Sequence, residues 1–496
     1  MIGGLRQVWR GLRALGAAYE AAGHGRRLRN WYPGERGPNE ARNASLALLR
    51  ARSRDAVRNQ PWPHAMIDRT TTNVVGTGLK PMSKVADPEL REFIQELWGD
   101  WAQEADADHA LDFYGLQELV EREREEAGEC FVRLRYRRTR DGLSVPMQLQ
   151  VIEPEQVPAD YERELPGGHR IRAGVEFDRI GRRVAYWMYP QHPGEHPGRA
   201  DGQQLRRVPA REVCHIFHPL RAGAIRGEPE LTQALVKMRD LSEYDDAEVT
   251  RKKITAMFTG FIVRPDEDPE TSPVRPQGED EDGTATVSLE PGTMQELGPG
   301  EDVKFSEPAD VSSSYEPFIR QQLMAAATSA GTFYELLTGD MRGVNDRTLR
   351  VLLQEFRRRI QRIQYHLLVH QLCRPVWRAW MDAAVAAGAL PLEAQEYADN
   401  RRSIQRAKWT PQAWLYINPV QDVQAHIEEI RAGLGSRSKA ISEKGFDAEE
   451  IDAEIAADQQ RADELGLVFD TDARRTARSG TAQDYLREQE EGSRES

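Results

Sequence analysis

Apolar residues recur every three or four positions through much of the chain, which is the spacing of one buried face of an α-helix. The pattern predicts helices over residues 4–19, 39–59, 64–75, 231–259, 315–337 and 346–387, with shorter helices after Asn418. Asn39 is the expected N-cap of its helix, because its side chain can accept from backbone N–H groups. A helix as long as the one from Asp346 indicates an elongated subunit that completes its core against neighbouring copies.

Between residues 130 and 218 the pattern changes to an alternation of apolar and polar residues, which is typical of half-buried strands. We expect an antiparallel sheet here. Residues 175–189 predict a hairpin with its turn at Arg179 to Gly181. Glu176, Asp178 and Arg182 are expected on the solvent side of this hairpin.

Proline, glycine and clustered acidic residues fill the segment that begins near residue 264, which argues against a packed core there. Only the short stretches 284–289 and 293–297 favour strands. The segment therefore predicts an exposed insertion between two long helices. Beyond Asp470 the chain is polar and is predicted to be disordered.

Charge is unevenly distributed along the 496 residues. The first 60 residues hold twelve arginines and four acidic residues, although the whole chain has a net charge of −13. This basic start suits either a nucleic-acid or partner-docking arm or a solvated helix, and the sequence leaves both open. No apolar run approaches the roughly 20 residues that span a bilayer, so we expect an unexported protein that does not enter the membrane.

Motifs for catalysis or cofactor binding are missing from the sequence. It contains no GxxxxGK[ST] phosphate loop, no GxSxG nucleophile turn and no CxxC pair, and Gly76-Thr77-Gly78 lacks the rest of a dinucleotide fingerprint. The three cysteines are Cys130, Cys214 and Cys373, and the closely spaced histidine pairs are His192/His196, His215/His218 and His366/His370. Nothing supplies a third metal ligand to His366/His370, while His192/His196 belong to a Pro/Gly loop and His215/His218 to a strand-like run. We therefore expect structural histidines, with no catalytic residue, metal or cofactor.

Several long segments resemble the lambda-type family of bacteriophage portal proteins. They include RSRDAVRNQPWPHAMIDRTTTNVVGTGLKP, MQLQVIEPEQVP, VCHIFHPLRAGAIRGEPELTQAL, LEPGTMQELGPGEDVKF and FYELLTGDMRGVNDRTLRVLLQEFRRRIQ. The C-terminal segment INPVQDVQAHIEEIRAGLGSRSKAISEKGF and the residues after it are also similar to that family. Together the matching segments extend from about residue 45 to about residue 470.

The resemblance implies an α+β, predominantly helical and elongated subunit with wing, stem, clip and crown regions. The implied regions are a basic N-terminal helical arm (1–60), an α+β wing (61–228), a stem helix (229–263), the clip (264–314), a second stem helix (315–333), the tunnel loop (334–345), a long wing helix with the wing end (346–430), crown-like helices (431–470) and a polar tail (471–496).

The resemblance also implies a role. Such subunits form a ring, expected to be a dodecamer, at one capsid vertex of the virion after assembly in the host cytoplasm. Double-stranded DNA passes through it without sequence-specific binding during packaging and ejection. The implied partners are the terminase large subunit, head-completion or adaptor proteins, and capsid and scaffold proteins.

Two sets of residues are implied to carry this role. The expected DNA-facing tunnel loop is Leu337, Thr338, Gly339, Asp340, Met341, Arg342 and Gly343, and the expected clip docking residues are Asp266, Glu267, Asp268, Glu279, Asp280, Glu281 and Asp282. An ordinary connector between helices is the alternative for the loop. For the whole protein, the alternatives are a soluble scaffold without a channel and a hydrolase with a site assembled around His215 or His218.

Overall fold

A computed structural model describes residues 34–195, 204–257, 312–414, 419–469 and 471–472, together with the backbone of short strands between residues 261 and 297. The helix predicted over residues 4–19 lies outside these residues, as does the polar end after residue 472. His196 also falls outside them. The described chain is a mixed α and β structure in which helices predominate.

Most of the α-helices match helices predicted from the apolar periodicity. They are α1 Pro38–Asn59, α2 Pro61–Val75, α3 Pro88–Glu104, α4 Phe113–Ala127, α5 Leu235–Met257, α6 Ser312–Ser329, α7 Tyr334–Thr338, α8 Asp346–Ile363, α9 Arg374–Ala386, α10 Ala394–Ile404, α11 Pro419–Arg431, α12 Arg437–Glu443 and α13 Ala448–Glu464. Helices α3, α4 and α10 were not predicted. A π-helical segment, Gln364–Cys373, joins α8 to α9 without a break, which confirms the long helix predicted from Asp346. At about 1.5 Å per residue this helical rod is roughly 60 Å long.

Several helix boundaries differ from the prediction by a few residues, and two of the differences have a clear physical reason. Asn39 is not an N-cap, because α1 begins at Pro38, whose fixed φ suits a first turn; its side chain instead bonds the backbone of Gly223 and Ile225, each at 2.9 Å. The helix predicted over 315–337 is interrupted after Ser329. Gly331 adopts a φ of +72°, and the Thr332 N–H turns back to the Ala327 carbonyl at 2.9 Å, as at a glycine-terminated helix end.

The described strands form two main antiparallel sheets and three small pairs. They are β1 Lys80–Ser83, β2 Glu129–Tyr136, β3 Met147–Ile152, β4 Arg163–Leu165, β5 His169–Arg172, β6 Val175–Phe177, β7 Arg183–Met188, β8 Arg206–Pro209, β9 Val213–Phe217, β10 Phe261–Val263, β11 Gly278–Glu279, β12 Ala285–Thr286, β13 Gln295–Leu297 and β14 Ala407–Thr410. One sheet has the order β3-β2-β9, a second runs β4-β5-β6-β7-β8, and β1 pairs with β14. Of the other two pairs, β11–β12 is antiparallel and β10–β13 is parallel. The single sheet predicted over residues 130–218 is therefore two sheets.

The hairpin predicted at residues 175–189 is confirmed as β6 and β7, but two of its expected solvent-facing residues are buried. Glu176 is 2% exposed and accepts hydrogen bonds from Arg207 at 2.7 Å and Trp187 at 3.2 Å. Asp178 is 8% exposed and accepts from the turn backbone. The expectation of exposure was wrong for two reasons: side chains from β7 and β8 cover Glu176, and the hairpin turn folds over Asp178, whose carboxylate also accepts from the Arg182 backbone and side chain.

Three apolar cores hold these elements together. The first packs α3 and α4 and one face of the β3-β2-β9 sheet against the long α8–α9 rod, around five buried tryptophans: Trp98, Trp101, Trp377, Trp380 and Trp409. The second packs α1 and α2 against α5, α6 and α7. The third fills the space between the two sheets. None of the helices in the described part of the chain has the length and apolarity needed to cross a membrane.

Candidate functional site: a helix pair and an exposed loop

Helices α5 and α6 form an antiparallel pair. Near the start of α5, Lys237 reaches Gln322 at 3.3 Å, and further along Asp245 accepts a hydrogen bond from Tyr315 at 2.7 Å. Tyr244 stacks on Tyr315 with ring centroids 5.9 Å apart. The apolar half of α5 lies in the second core, and its remaining length extends past that core. The chain between α5 and α6 therefore leaves and re-enters the fold at the same end of the pair.

A buried ionic cluster, which we call the Arg124 cluster, fixes the base of this pair. Arg124 is fully buried in α4 and pairs with Glu121 at 2.8 Å, with Glu125, and with Glu230 at 2.9 Å. Arg359 of α8 lies 3.5 Å from Glu230. Burial opposes ionisation of Glu230, but neighbouring His218 and these two arginines hold its pKa below the usual range. The cluster thus joins α4, the start of α5 and the long rod.

A second buried cluster, the Glu129 cluster, lies at the start of β2, directly after the helix that contains Arg124. Glu129 pairs with Arg50, with Arg226 at 2.6 Å and with His215 at 2.9 Å, and it accepts the Gly227 N–H at 2.9 Å. Although burial opposes ionisation, Arg226 and Arg50 hold the pKa of Glu129 well below its usual range. This carboxylate connects α1, β2, β9 and the loop that leads to α5.

Glycine is required beside the Glu129 cluster. Gly128 has a φ of +90°, and a side chain there would meet the Glu228 backbone. A Cβ on Gly227 would lie 2.0 Å from the Gly128 carbonyl oxygen. The two backbones therefore touch, which brings the Gly227 N–H within reach of Glu129.

Stability is expected to fall as pH rises because of the Arg124 cluster. Burial raises the pKa of Glu125 to about 8. Arg124 lowers this pKa, but the neighbouring carboxylates of Glu230 and Glu121 raise it further. The folded protein therefore keeps a proton that the unfolded chain releases above its lower pKa, and this contribution is lost as pH rises through about 8. Glu125→Gln replaces the protonated carboxyl group with an amide of the same shape that does not titrate. The melting temperature of this variant is therefore expected to fall less than that of the wild type between about pH 6 and about pH 9.

Thermal melts at both pH values check this prediction, with Glu162→Gln on the exposed surface as the matched control. Glu123, whose pKa burial raises to about 7, remains in the variant and acts in the same direction. The decline in the variant is therefore smaller but not absent. Equal declines in wild type and Glu125→Gln would show that Glu125 is ionised in the folded state.

The segment predicted as a tunnel loop connects α7 to α8. Gly339 and Gly343 adopt φ values of +74° and +76°, which L side chains rarely adopt. Between them Asp340 accepts from Arg342 Nε at 2.8 Å and from the Tyr334 hydroxyl at 3.1 Å. These hydrogen bonds, above all those from Arg342, hold the pKa of Asp340 below its usual range. The loop is thus an ordered turn with an internal ion pair.

The predicted loop residues divide into an exposed and an anchored group. Met341 is 47% exposed, and Gly339, Arg342 and Gly343 are also exposed. Leu337 is 1% exposed and packs in the second core, so its side chain does not face outward as expected. Thr338 Oγ1 donates to the Tyr334 carbonyl at 2.8 Å and accepts the Asp340 N–H. The exposed loop is therefore residues 339–343, and its contact with DNA stays a prediction.

The predicted clip docking residues fall almost entirely outside the residues that the structure describes. Glu279 lies in β11, which pairs with β12, and the other six lie outside the described residues. Sequence reasoning missed Arg124, Glu129 and Arg226 altogether. Their roles have no local signal, because each depends on partners far along the chain.

His215 and the three cysteines are held in structural positions. His215 is buried between Phe131 and Phe217, with ring centroids 4.3 and 4.4 Å away, and burial lowers its pKa to about 4. All three cysteines are buried, and burial raises the pKa of Cys214 to about 12. Neither an accessible base nor a thiolate is therefore available at these positions.

One group of possible metal ligands occurs among the described residues. Glu153, Glu155 and His192 have ligand atoms within 4.8 Å of one another. Arg54 already occupies both carboxylates, with its guanidinium 3.7 Å from Glu153 and 3.2 Å from Glu155. His366 and His370 are exposed and join no such group in the described chain. The Glu153 group is accounted for by ion pairing with Arg54.

The described chain thus combines anchored helices, an exposed ordered loop and a buried His215. Residues 24–364 match the family described as "Phage portal protein, lambda family". The chain belongs to this family, and it is a phage portal subunit. The family is a structural one.

Individual relatives agree with this assignment along most of their length. The chain is 27% identical to the "Probable portal protein" of Halomonas phage phiHAP-1, covering 84% of this chain and 81% of the relative. It is 21% identical to the "Portal protein" of Escherichia phage N15 and 20% identical to "Portal protein B" of Escherichia phage lambda, with 90% of each chain covered in both comparisons.

Solved structures that resemble the chain come from a gene transfer agent (GTA) particle. A chain of the native virion is 14% identical, with a TM-score of 0.38, and the match covers 84% of this chain and 94% of that one. A chain of the native neck, computed with C12 symmetry, is 15% identical, also with a TM-score of 0.38, over 80% and 91% of the two chains. Likeness at this level leaves the assembly of the present chain to be established separately.

Proposed function

We propose that this subunit forms a ring, a dodecamer, at one capsid vertex of the virion, and that double-stranded DNA passes through the ring during packaging and ejection. Membership of the lambda portal family carries this proposal. In this role the protein is a passive conduit and not an enzyme. The energy for DNA movement comes from a separate motor, the terminase large subunit, because this sequence has no phosphate-binding loop.

The C-terminal helices support an oligomer. None of α11, α12 and α13 buries a side chain within the subunit. Along α11 the apolar residues Val420, Val423, Ile427 and Ile430 are 81%, 40%, 37% and 37% exposed. Their spacing places them on one face of the helix, which we call the α11 stripe. An exposed stripe of this kind is typical of a helix that packs against another subunit.

The chain's charge suits a channel that does not grip DNA. A wall with many phosphate contacts would bind the duplex tightly and in a salt-dependent way. This chain instead has a net charge of −13, with its positive excess in the first 60 residues. In the proposed ring the exposed loop 339–343 lies nearest the DNA, where Met341 and Arg342 touch it without reading its sequence.

The insertion between α5 and α6 is the proposed docking surface. Its acidic residues, Asp266 to Asp268 and Glu279 to Asp282, would receive the terminase and later the head-completion or adaptor proteins. The antiparallel pairing of α5 and α6 supports this assignment, because it places both ends of the insertion at one end of the pair. Capsid and scaffold proteins would contact the outside of the ring. Assembly takes place in the host cytoplasm.

Electron microscopy of the purified protein tests the ring. We expect wild-type particles with an axial hole, and monomers for the double variant Val423→Asp/Ile427→Asp, because two charges on the α11 stripe would have to be desolvated at an interface. The matched control, Gln421→Asp/Ala425→Asp, adds the same charge on the opposite face of α11 and is expected to keep the ring.

The outcomes separate the alternatives. A compact wild-type monomer, or an oligomer without an axial hole, would contradict the portal ring and favour a scaffold. Rings that persist in Val423→Asp/Ile427→Asp would show that the α11 stripe is not part of the subunit interface. Loss of the ring in the control as well would point to a general effect of added charge.

A further inference from the structure

An open cavity of about 1030 Å³ lies beside the first core, where α9, α10 and β14 meet. Its lining includes five arginines, namely Arg374, Arg378, Arg401, Arg402 and Arg406, and two tryptophans, Trp377 and Trp409. Asp399 is the one acidic residue that lines it. We call this the arginine cavity. So dense a group of cations is unusual in a chain with a net charge of −13.

Four of these arginines form no ion pair with a carboxylate among the described residues. Arg401 pairs with Asp382, and Arg374 lies 5.5 Å from the centre of the Tyr365 ring. Arg378, Arg402 and Arg406 have no carboxylate within 4.0 Å among the described residues. Arg402 and Arg406 lie on either side of the turn that joins α10 to β14. Guanidinium groups placed in this way can bind carboxylates in pairs of parallel hydrogen bonds.

The cavity also contains buried donors without partners. Trp377 is 1% exposed and Trp409 is 6% exposed, yet the indole N–H of neither has a hydrogen-bond acceptor in the described structure. An unpaired buried N–H is costly, so such groups are normally satisfied by protein, water or a ligand. Trp409 also borders a second cavity of about 430 Å³. Trp377 borders the arginine cavity but not this second one. The lining of the arginine cavity therefore combines arginines without counter-charges and two tryptophans whose indole N–H groups lack acceptors.

We infer that the arginine cavity binds an acidic peptide segment of a partner protein. The carboxylate side chains of such a peptide would supply counter-charges for the arginines and hydrogen-bond acceptors for the indole N–H groups. The volume exceeds that of one inorganic anion and suits several peptide side chains. Duplex DNA fits less well, because it is rigid and carries its phosphates on a convex surface, away from a recessed indole. The inference does not depend on ring formation.

Fluorescence anisotropy of a fluorescein-labelled hexaglutamate peptide on the full-length protein tests this at about 150 mM salt, where long-range attraction is screened. The double variant Arg402→Glu/Arg406→Glu is expected to weaken binding about tenfold or more. The matched control Arg163→Glu/Arg172→Glu changes two exposed arginines of the β4–β8 sheet by the same charge. It is expected to bind like the wild type.

A second variant tests the indole donors. Trp409→Phe removes the N–H and keeps an aromatic ring, and it is expected to weaken peptide binding roughly threefold. If this variant binds the peptide with wild-type affinity, the binding depends on surface charge alone. That result would overturn the proposal that the peptide enters the arginine cavity. Equal losses in the cavity variant and its matched control would overturn it too.

Competition distinguishes the other possible occupants. Inorganic phosphate and a short DNA duplex are each added to the labelled complex. If phosphate displaces the peptide as efficiently as unlabelled hexaglutamate, the cavity is a simple anion site. If the duplex displaces it and itself binds more weakly to Arg402→Glu/Arg406→Glu, the cavity is a nucleic-acid site. Either result overturns the inference, and ring formation by electron microscopy is scored independently in the same variants.

Discussion

DNA-filled heads are expected to be lost when residues 339–343 are replaced by the helical sequence Glu-Ala-Ala-Ala-Lys, although rings still assemble. Gly339 and Gly343 both have positive φ values, so a helical insert cannot reproduce the turn. It would extend α7 toward α8 and remove both the turn and the exposed side chains of Met341 and Arg342. Packaging is measured as nuclease-protected DNA per head, and assembly by electron microscopy of the purified portal.

A flexible replacement of the same length separates shape from side-chain chemistry. The sequence Gly-Ser-Gly-Ser-Gly keeps glycine at positions 339 and 343 while it removes Asp340, Met341 and Arg342. It is expected to retain more packaging than the helical linker. Normal DNA filling with the helical linker would refute the assignment of this loop to the channel. It would leave the loop as an ordinary connector between helices.

Glu129→Ala is expected to lower the free energy of unfolding by about 3–5 kcal/mol, because it leaves Arg50 and Arg226 buried without their counter-charge. Both arginines are nearly inaccessible to solvent, so water cannot replace the carboxylate. The Gly227 N–H would lose its acceptor as well. Urea denaturation followed by circular dichroism measures the change.

The control for this prediction is Glu162→Ala, which removes an exposed carboxylate from the same region. It is expected to change stability by no more than about 0.5 kcal/mol. An unfolding curve for Glu129→Ala that matches the wild type would mean that the two arginines find other partners. The cluster would then not be the connection between α1, β2 and β9 that the geometry indicates.

The apolar pattern was sufficient to predict most helices and the β6–β7 hairpin, because their signals are local. The division of residues 130–218 into two sheets was not predictable in the same way. Strands β2 and β9 pair across an intervening meander, and alternation within a strand does not identify its neighbour. The portal family was predictable from the sequence because its signal extends over long segments.

Buried charge is where sequence reasoning was weakest. Seven charged residues lie between positions 121 and 129, a run that usually indicates a solvent-facing helix. Here Glu121, Arg124 and Glu125 are all buried, since Glu230 and Arg359 come from distant parts of the chain to meet them. Arg226 lies 97 residues from its partner Glu129. Ion pairs between residues so far apart produce no periodic pattern in the sequence.

The antiparallel pairing of α5 and α6 has an evolutionary consequence. Because the chain departs after Met257 and returns at Ser312 at one end of the pair, changes in the length of the intervening segment need not shift either helix against the second core. Selection can therefore remodel the intervening segment while the body of the subunit stays constant. Relatives can therefore differ in the length and composition of this segment while they keep the same helical body.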